Sequence, residues 1–131
     1  MSRENVELAR RWIEAWNSRD GGGLAELTHA DGEILLPRNL LEGGSYRGPA
    51  GASRALADAL ETWEEAHVAI KDLRDAGDQV VVLARTTNTP PGGPRTEYEA
   101  AYVCRVEDGK LADFRPFMSH ADALEAAGLR E

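Results

Sequence analysis

Along the first twenty residues the apolar positions fall at helical spacing. Val6, Ala9, Ile13 and Trp16 lie three or four residues apart and form one stripe, with Trp12 at its border. Arg10, Arg11, Glu14 and Arg19 face water, and Asp20-Gly21-Gly22-Gly23 ends the helix. A second short helical turn carries Leu24 and Leu27, and Asp31-Gly32 reads as a turn. Ile34-Leu35-Leu36 then reads as a buried strand that Pro37 stops, followed by irregular chain from Arg38 to Gly48. Pro49 suits the start of a further helix, whose apolar face is Ala52, Leu56, Ala59 or Leu60, and Trp63.

From Ala66 the period changes from helical to alternating. Val68 and Ile70 alternate with polar neighbours, Asp75-Ala76-Gly77-Asp78 makes a hairpin, and Gln79 to Asn88 is a long strand. A Pro- and Gly-rich loop, Thr89 to Pro94, separates it from a strand over 97–106. Asp108-Gly109 is a two-residue hairpin signal before the last strand, Lys110 to Met118. Ser119 with Asp122 caps a final helix from His120 to Ala127, ended by Gly128. Consecutive hairpins with helices gathered elsewhere predict an α+β fold with an antiparallel sheet and its helices on one face. One domain fills residues 1–131.

Val80-Val81-Val82-Leu83 is apolar on both sides of its strand, where a sheet with one wet face alternates. Helices account for one side. The other predicts a second copy of the chain, and so a homodimer through the sheet.

Composition narrows the chemistry. Fifteen basic and 23 acidic residues give a net charge of −8 with no basic run, which argues against nucleic acid and anionic membrane as partners. No stretch is apolar enough to span a bilayer, and the N-terminus has no secretory pattern. Cys104, the single cysteine, makes neither an internal disulfide nor a cysteine-based zinc site, and a reducing, cytoplasmic setting is expected. His29, His67 and His120 have no ligand spacing, so no metal is called for. The chain also lacks a phosphate loop and a nucleophile elbow, so no cofactor is expected.

Five segments in order carry a family resemblance: NVELARRWIEAWN over 5–17 with Asp20, YRGP over 46–49, GDQVVV over 77–82, DGKL over 108–111 and ALEAAGL over 123–129. Together they resemble the SnoaL-like, ketosteroid-isomerase-like group of the nuclear transport factor 2-like superfamily. That resemblance implies a cone: a strongly curved mixed or antiparallel sheet wrapped around three helices of the N-terminal half, plus a short C-terminal helix. A small-molecule pocket opens at its wide end. Members include isomerases, polyketide cyclases, dehydratases and hydrolases, usually without cofactor.

The group's acid–base residues transfer poorly. The isomerases' helix-one Tyr falls on Trp12, their Asp before Pro falls on Leu36, and their second Asp falls near Ala100 to Tyr102, where no carboxylate stands. The cyclases' last-strand Asp falls on Arg115, whose guanidinium is a poor proton acceptor but can clamp a carboxylate. The catalytic candidates are therefore Arg115, Tyr102 as a hydroxyl donor, and His120 as a proton carrier. Trp12, Trp16, Leu36, Arg38, Trp63, Phe114 and Phe117 are the candidate lining of a ligand cavity. Two functions stay open: a cofactor-free enzyme acting on a small apolar or carboxylated substrate, or a non-catalytic ligand-binding or dimerisation module.

Overall fold

The computed structural model describes residues 2–129. Helix α1 (Ser2–Asn17) is followed by α2 (Gly21–Leu27), strand β1 (Thr28–Ile34), α3 (Pro37–Glu42), β2 (Tyr46–Arg47) and α4 (Gly48–Thr62). Four long strands come next, β3 (Glu65–Ala76), β4 (Gln79–Thr89), β5 (Thr96–Glu107) and β6 (Lys110–Phe117), and α5 (His120–Ala126) ends the chain. The six strands form one sheet in the order β2-β1-β6-β5-β4-β3. All neighbours are antiparallel except β1 and β6, which run parallel, so the sheet is mixed.

The hairpins form where the glycines predict them. Asp108 and Gly109 both have positive φ, 52° and 72°, which is the two-residue turn that matches strand twist. Ser119 accepts a hydrogen bond from the Asp122 amide at 3.0 Å and caps α5.

The first half differs from the sequence expectation at three places. Asp31-Gly32 lies within β1 as an irregularity in its pairing with β6, and the strand runs over 28–34 rather than 34–36. The chain from Arg38 to Gly48 holds a helix and a short strand, so the N-terminal half carries four helices, not three. Helix α3 forms because Pro37 sits at its start and the Asn39 side chain accepts the Leu36 amide at 2.8 Å. Gly48 has φ +68°, and a Cβ there would sit 2.9 Å from the Ala30 carbonyl oxygen, so the β2–α4 junction requires glycine.

The main core lies between the concave face of the sheet and helices α1, α2 and α4. Trp12, Ile13, Leu24, Ile34, Val80, Val82 and Leu111 are all but fully buried in it. Asn17, at the end of α1, pins the helix to the sheet edge. Its amide donates to the Val68 carbonyl and accepts the Val68 N–H, both at 2.8 Å.

The valine run of β4 is covered within the chain. Val81, Leu83, Ala101 and Val103 point to the convex face, where Ala123 and Leu124 of α5 and Phe117 cover them. Val81 has no exposed surface and Val103 retains 5%. The second apolar face that predicts a partner copy is thus met by the C-terminal helix. Leu124, 3% exposed, is the anchor of that contact. Leu124→Ala is expected to cost about 2–4 kcal/mol of unfolding free energy in urea melts. A Glu125→Ala control at the exposed neighbour should stay within about 0.5 kcal/mol of the parent.

Candidate functional site

The concave side of the sheet does not fill completely. Between α1, α3, the end of α4 and strands β3–β6 lies a cavity of about 310 Å³. Its walls are mainly aromatic: Trp12, Trp16, Trp63, Tyr98, Tyr102 and Phe114.

Four of these rings form a continuous stack across the floor. Trp16 and Trp12 lie with centroids 6.2 Å apart, Trp12 and Phe114 at 4.6 Å, and Phe114 and Tyr102 at 4.8 Å, all within 27° of parallel. Trp12 and Phe114 each stack against two of the other rings, which joins all four into one run. The Trp12 indole N–H is spent on the Thr28 hydroxyl at 3.0 Å, and that hydroxyl donates to the Leu24 carbonyl at 2.7 Å.

Polar groups come from alternate positions of two strands. On β4, Thr86 and Asn88 face the cavity. On β5, Tyr98 and Tyr102 do so, with Ala84 and Ala100 paired on the same face. The Tyr102 and Thr86 hydroxyls are 2.8 Å apart, and Asn88 donates its amide hydrogen to the Tyr98 hydroxyl oxygen at 2.9 Å. Burial pushes the Tyr102 phenol up to about 12, only partly offset by Thr86. The Tyr98 phenol is also raised by burial, with the Asn88 bond opposing. Both hydroxyls are therefore neutral donors across the physiological range.

The rim holds Leu36, Pro37, Arg38 and Glu42. Arg38 is braced by Tyr46 and Asp58. Its Nη2 bonds the Tyr46 hydroxyl and Asp58 Oδ2, the latter at 3.2 Å, while Tyr46 donates to the same carboxylate oxygen at 2.7 Å. The hydrogen bond to Tyr46, ahead of the nearby Asp58 charge, raises the Arg38 guanidinium further.

Of the residues singled out from the sequence, the cavity gathers Tyr102, Trp12, Trp16, Leu36, Arg38, Trp63 and Phe114. Three others stand elsewhere. Strand period two sends Arg115 and Phe117 to the side opposite Phe114. Arg115, paired with Val103, is exposed, and Phe117, paired with Ala101, packs under α5. His120 sits at the start of α5, its Nε2 3.0 Å from the Ala84 carbonyl and its backbone N–H donating to Glu99 at 3.2 Å. It fastens the helix to the convex face. His67 borders the cavity but pairs with Thr87, not with inward-facing Thr86, and stays exposed.

The sequence reading missed Tyr98, Asn88 and Thr86. The signal was available, since Tyr98 precedes Tyr102 by four positions on one strand and so shares its face. Among the described residues no cluster of His, Cys, Asp and Glu is arranged to hold a metal. No described helix is long and apolar enough to cross a membrane.

A helix-lined curved sheet with an aromatic cavity on its concave side defines the nuclear transport factor 2-like class. Within it, residues 9–114 match the SnoaL-like domain, and the chain belongs to that family. A curated relative is the aklanonic acid methyl ester cyclase DnrD of Streptomyces peucetius, 26% identical over 94% of this chain and 90% of the cyclase. Among solved structures, a hypothetical protein with a ketosteroid isomerase-like fold from Catenulispora acidiphila, in complex with trimethylamine, superposes with a TM-score of 0.77 at 24% identity. It covers 94% of this chain and 93% of its own. TerC, co-crystallised with polyporic acid, gives 0.78 at 22% identity, with 95% of this chain and 98% of its own covered.

The raised Tyr102 phenol has a consequence for alkaline stability. An unfolded tyrosine loses its proton near pH 10, whereas folded Tyr102 holds it to about 12. Between those values the unfolded state binds fewer protons, so stability falls as pH rises. Denaturation midpoints measured across this window should drop steeply in the parent. They should drop less in Tyr102→Phe, which keeps the contributions of Cys104, Tyr98 and Tyr46, all raised by burial.

Proposed function

We propose that this chain binds a planar, largely apolar molecule bearing an electron-rich oxygen, seated in the cone with its rings against the aromatic floor and its oxygen toward the β4–β5 hydroxyls. The observation that carries the reading is the pairing of two neutral donor groups, Tyr102–Thr86 and Tyr98–Asn88, with a wall otherwise made of rings. A pocket of this kind gains affinity from apolar burial and orientation from a few polar contacts. The ionised groups on the wall are confined to the rim, at Arg38 and Glu42, and Arg38 is already neutralised by Asp58. Holding and polarising a bound oxygen is what these side chains do. Drawing a proton from carbon is not, because neutral phenols and an amide are poor bases.

A second reading, ring closure on a bound carbonyl compound, is favoured by the similarity to a cyclase. Ring closure that makes a carbon–carbon bond at a carbonyl needs a donor at its oxygen, which becomes a hydroxyl, and the same hydroxyls supply that half of the chemistry. The other half, loss of a proton from the attacking carbon, would fall to the substrate's own acidity or to Glu42 at the rim.

The test is tryptophan fluorescence, since Trp12, Trp16 and Trp63 all line the cavity. Titration with 2-acetonaphthone should give saturable quenching. Ala66→Trp, which places an indole into the cavity from β3, should weaken binding at least tenfold while the melting temperature stays within a few degrees. A response that this substitution leaves unchanged would place the probe elsewhere and overturn the reading.

A further inference from the structure

The two tyrosines of the cavity are not equivalent donors. Tyr102 is 5% exposed and its hydroxyl meets Thr86 at 2.8 Å. Whichever of the two hydroxyls donates, one hydrogen of this pair is spent between them, and Tyr102 is the deeper of the two tyrosines. Tyr98 is placed differently. Asn88 donates its Nδ2 hydrogen to the Tyr98 oxygen at 2.9 Å, and among the described residues this is the only hydrogen bond that the hydroxyl makes. Its own hydrogen therefore remains available, on the cavity wall and half-buried.

The surroundings leave space in front of it. Ala100 follows on the same face of β5, Ala84 is its partner on β4, and Ala66 of β3 pairs with Asn88. Small side chains flank the Tyr98–Asn88 pair where bulky ones would close the floor. A phenol that accepts a hydrogen bond becomes a better donor in turn, because the two bonds polarise each other. Asn88 thus does two things: it occupies the Tyr98 acceptor site and strengthens the remaining donor.

We propose that Tyr98, oriented by Asn88, is the donor that binds the carbonyl oxygen of the ligand in this pocket. Tyr98 is the contacting residue and Asn88 its positioning residue. The inference rests on the pocket reading above and adds to it which hydroxyl makes the contact and which oxygen it takes.

Two measurements on the whole chain test it. The first compares affinities for 2-acetonaphthone and 2-isopropenylnaphthalene, in which a methylene replaces the carbonyl oxygen with little change of shape. The parent should favour the ketone at least fivefold after correction for their partition into alkane. The second follows the carbonyl stretch of carbonyl-labelled 2-acetonaphthone by infrared difference spectroscopy. Binding should move the band to lower wavenumber, as a hydrogen-bonded carbonyl does.

Tyr98→Phe should bind both probes with equal affinity and leave the band where it lies in an apolar solvent. Asn88→Asp should do the same, because the carboxylate accepts the Tyr98 hydrogen and removes it from the ligand. Tyr102→Phe should keep both the preference and the shift. A band shift that survives Tyr98→Phe, or that disappears in Tyr102→Phe, overturns the assignment while the pocket reading stands. Failure of the parent to bind either probe overturns the pocket reading and this inference together.

Discussion

The stack of Trp12 on Phe114 on Tyr102 is the contact on which the arrangement of this molecule depends. It joins α1 to β6 and β5, elements separated by most of the chain, through three rings in direct succession. Such stacks add about 0.5–1.5 kcal/mol per pair beyond the area they bury. Their geometric effect is larger. With Trp12 fixed, its indole N–H must find a buried acceptor, and Thr28 provides one while passing its own hydrogen to the Leu24 carbonyl. One polar relay thereby ties α1, the end of α2 and the start of β1 into a single unit without leaving a buried donor unpaired. The cavity is the space that remains once the rings are stacked.

The middle of the sheet is buried on both sides, and the two sides do different work. The concave residues of β4 and β5 change along the strands from core to site. Val82, Val80 and Cys104 are closed over by α1 and α4, while Thr86, Asn88 and Tyr98 face the cavity. Burial holds the Cys104 thiol protonated, up to about 12, which makes it a packing group and not a nucleophile. On the convex side α5 covers Val81, Leu83, Ala101 and Val103, and His120 and Ser119 fix where the helix begins. The convex cover lies behind the stretch of the hairpin that carries Tyr102, whose neighbours Ala101 and Val103 it buries.

How much of this could be read from the sequence depends on how local each determinant is. The hairpins follow from Gly77 and Asp108-Gly109, whose positive φ is a requirement of the residue itself. The final helix follows from its cap. The β1–β2 region escaped because its strand pairs in parallel with β6, from Ile34 to Phe114 and from Thr28 to Leu111, far along the chain, and Asp31-Gly32 looks like a turn when that partner is unknown. Helix α3 is only six residues long and buries none of them, so it has no apolar period to detect. In the site, Tyr102 was legible from its strand parity and Tyr98 was equally so. Arg115 drew attention because of the residue type that relatives carry at its position, yet Phe114 beside it faces inward and parity then turns Arg115 out. The homodimer expectation rested on an apolar face whose cover lies at the far end of the same chain, a fact that periodicity along β4 alone does not contain.

A cone walled by neutral groups holds different molecules from one walled by carboxylates. A buried carboxylate must be either desolvated at a cost of several kcal/mol or neutralised by a shifted pKa, and family members that use one accept that cost for its basicity. Here the deep wall offers phenols, an amide and a threonine hydroxyl, each hydrogen-bonded to another, so the wall itself carries little desolvation strain. The charges stand at the rim, where Arg38 is held by Tyr46 and Asp58 and water screens what remains. Such a wall is a weak base and a good donor. On the proposed reading, a ligand brings its own electron density to these donors and leaves proton chemistry to groups outside the deep pocket.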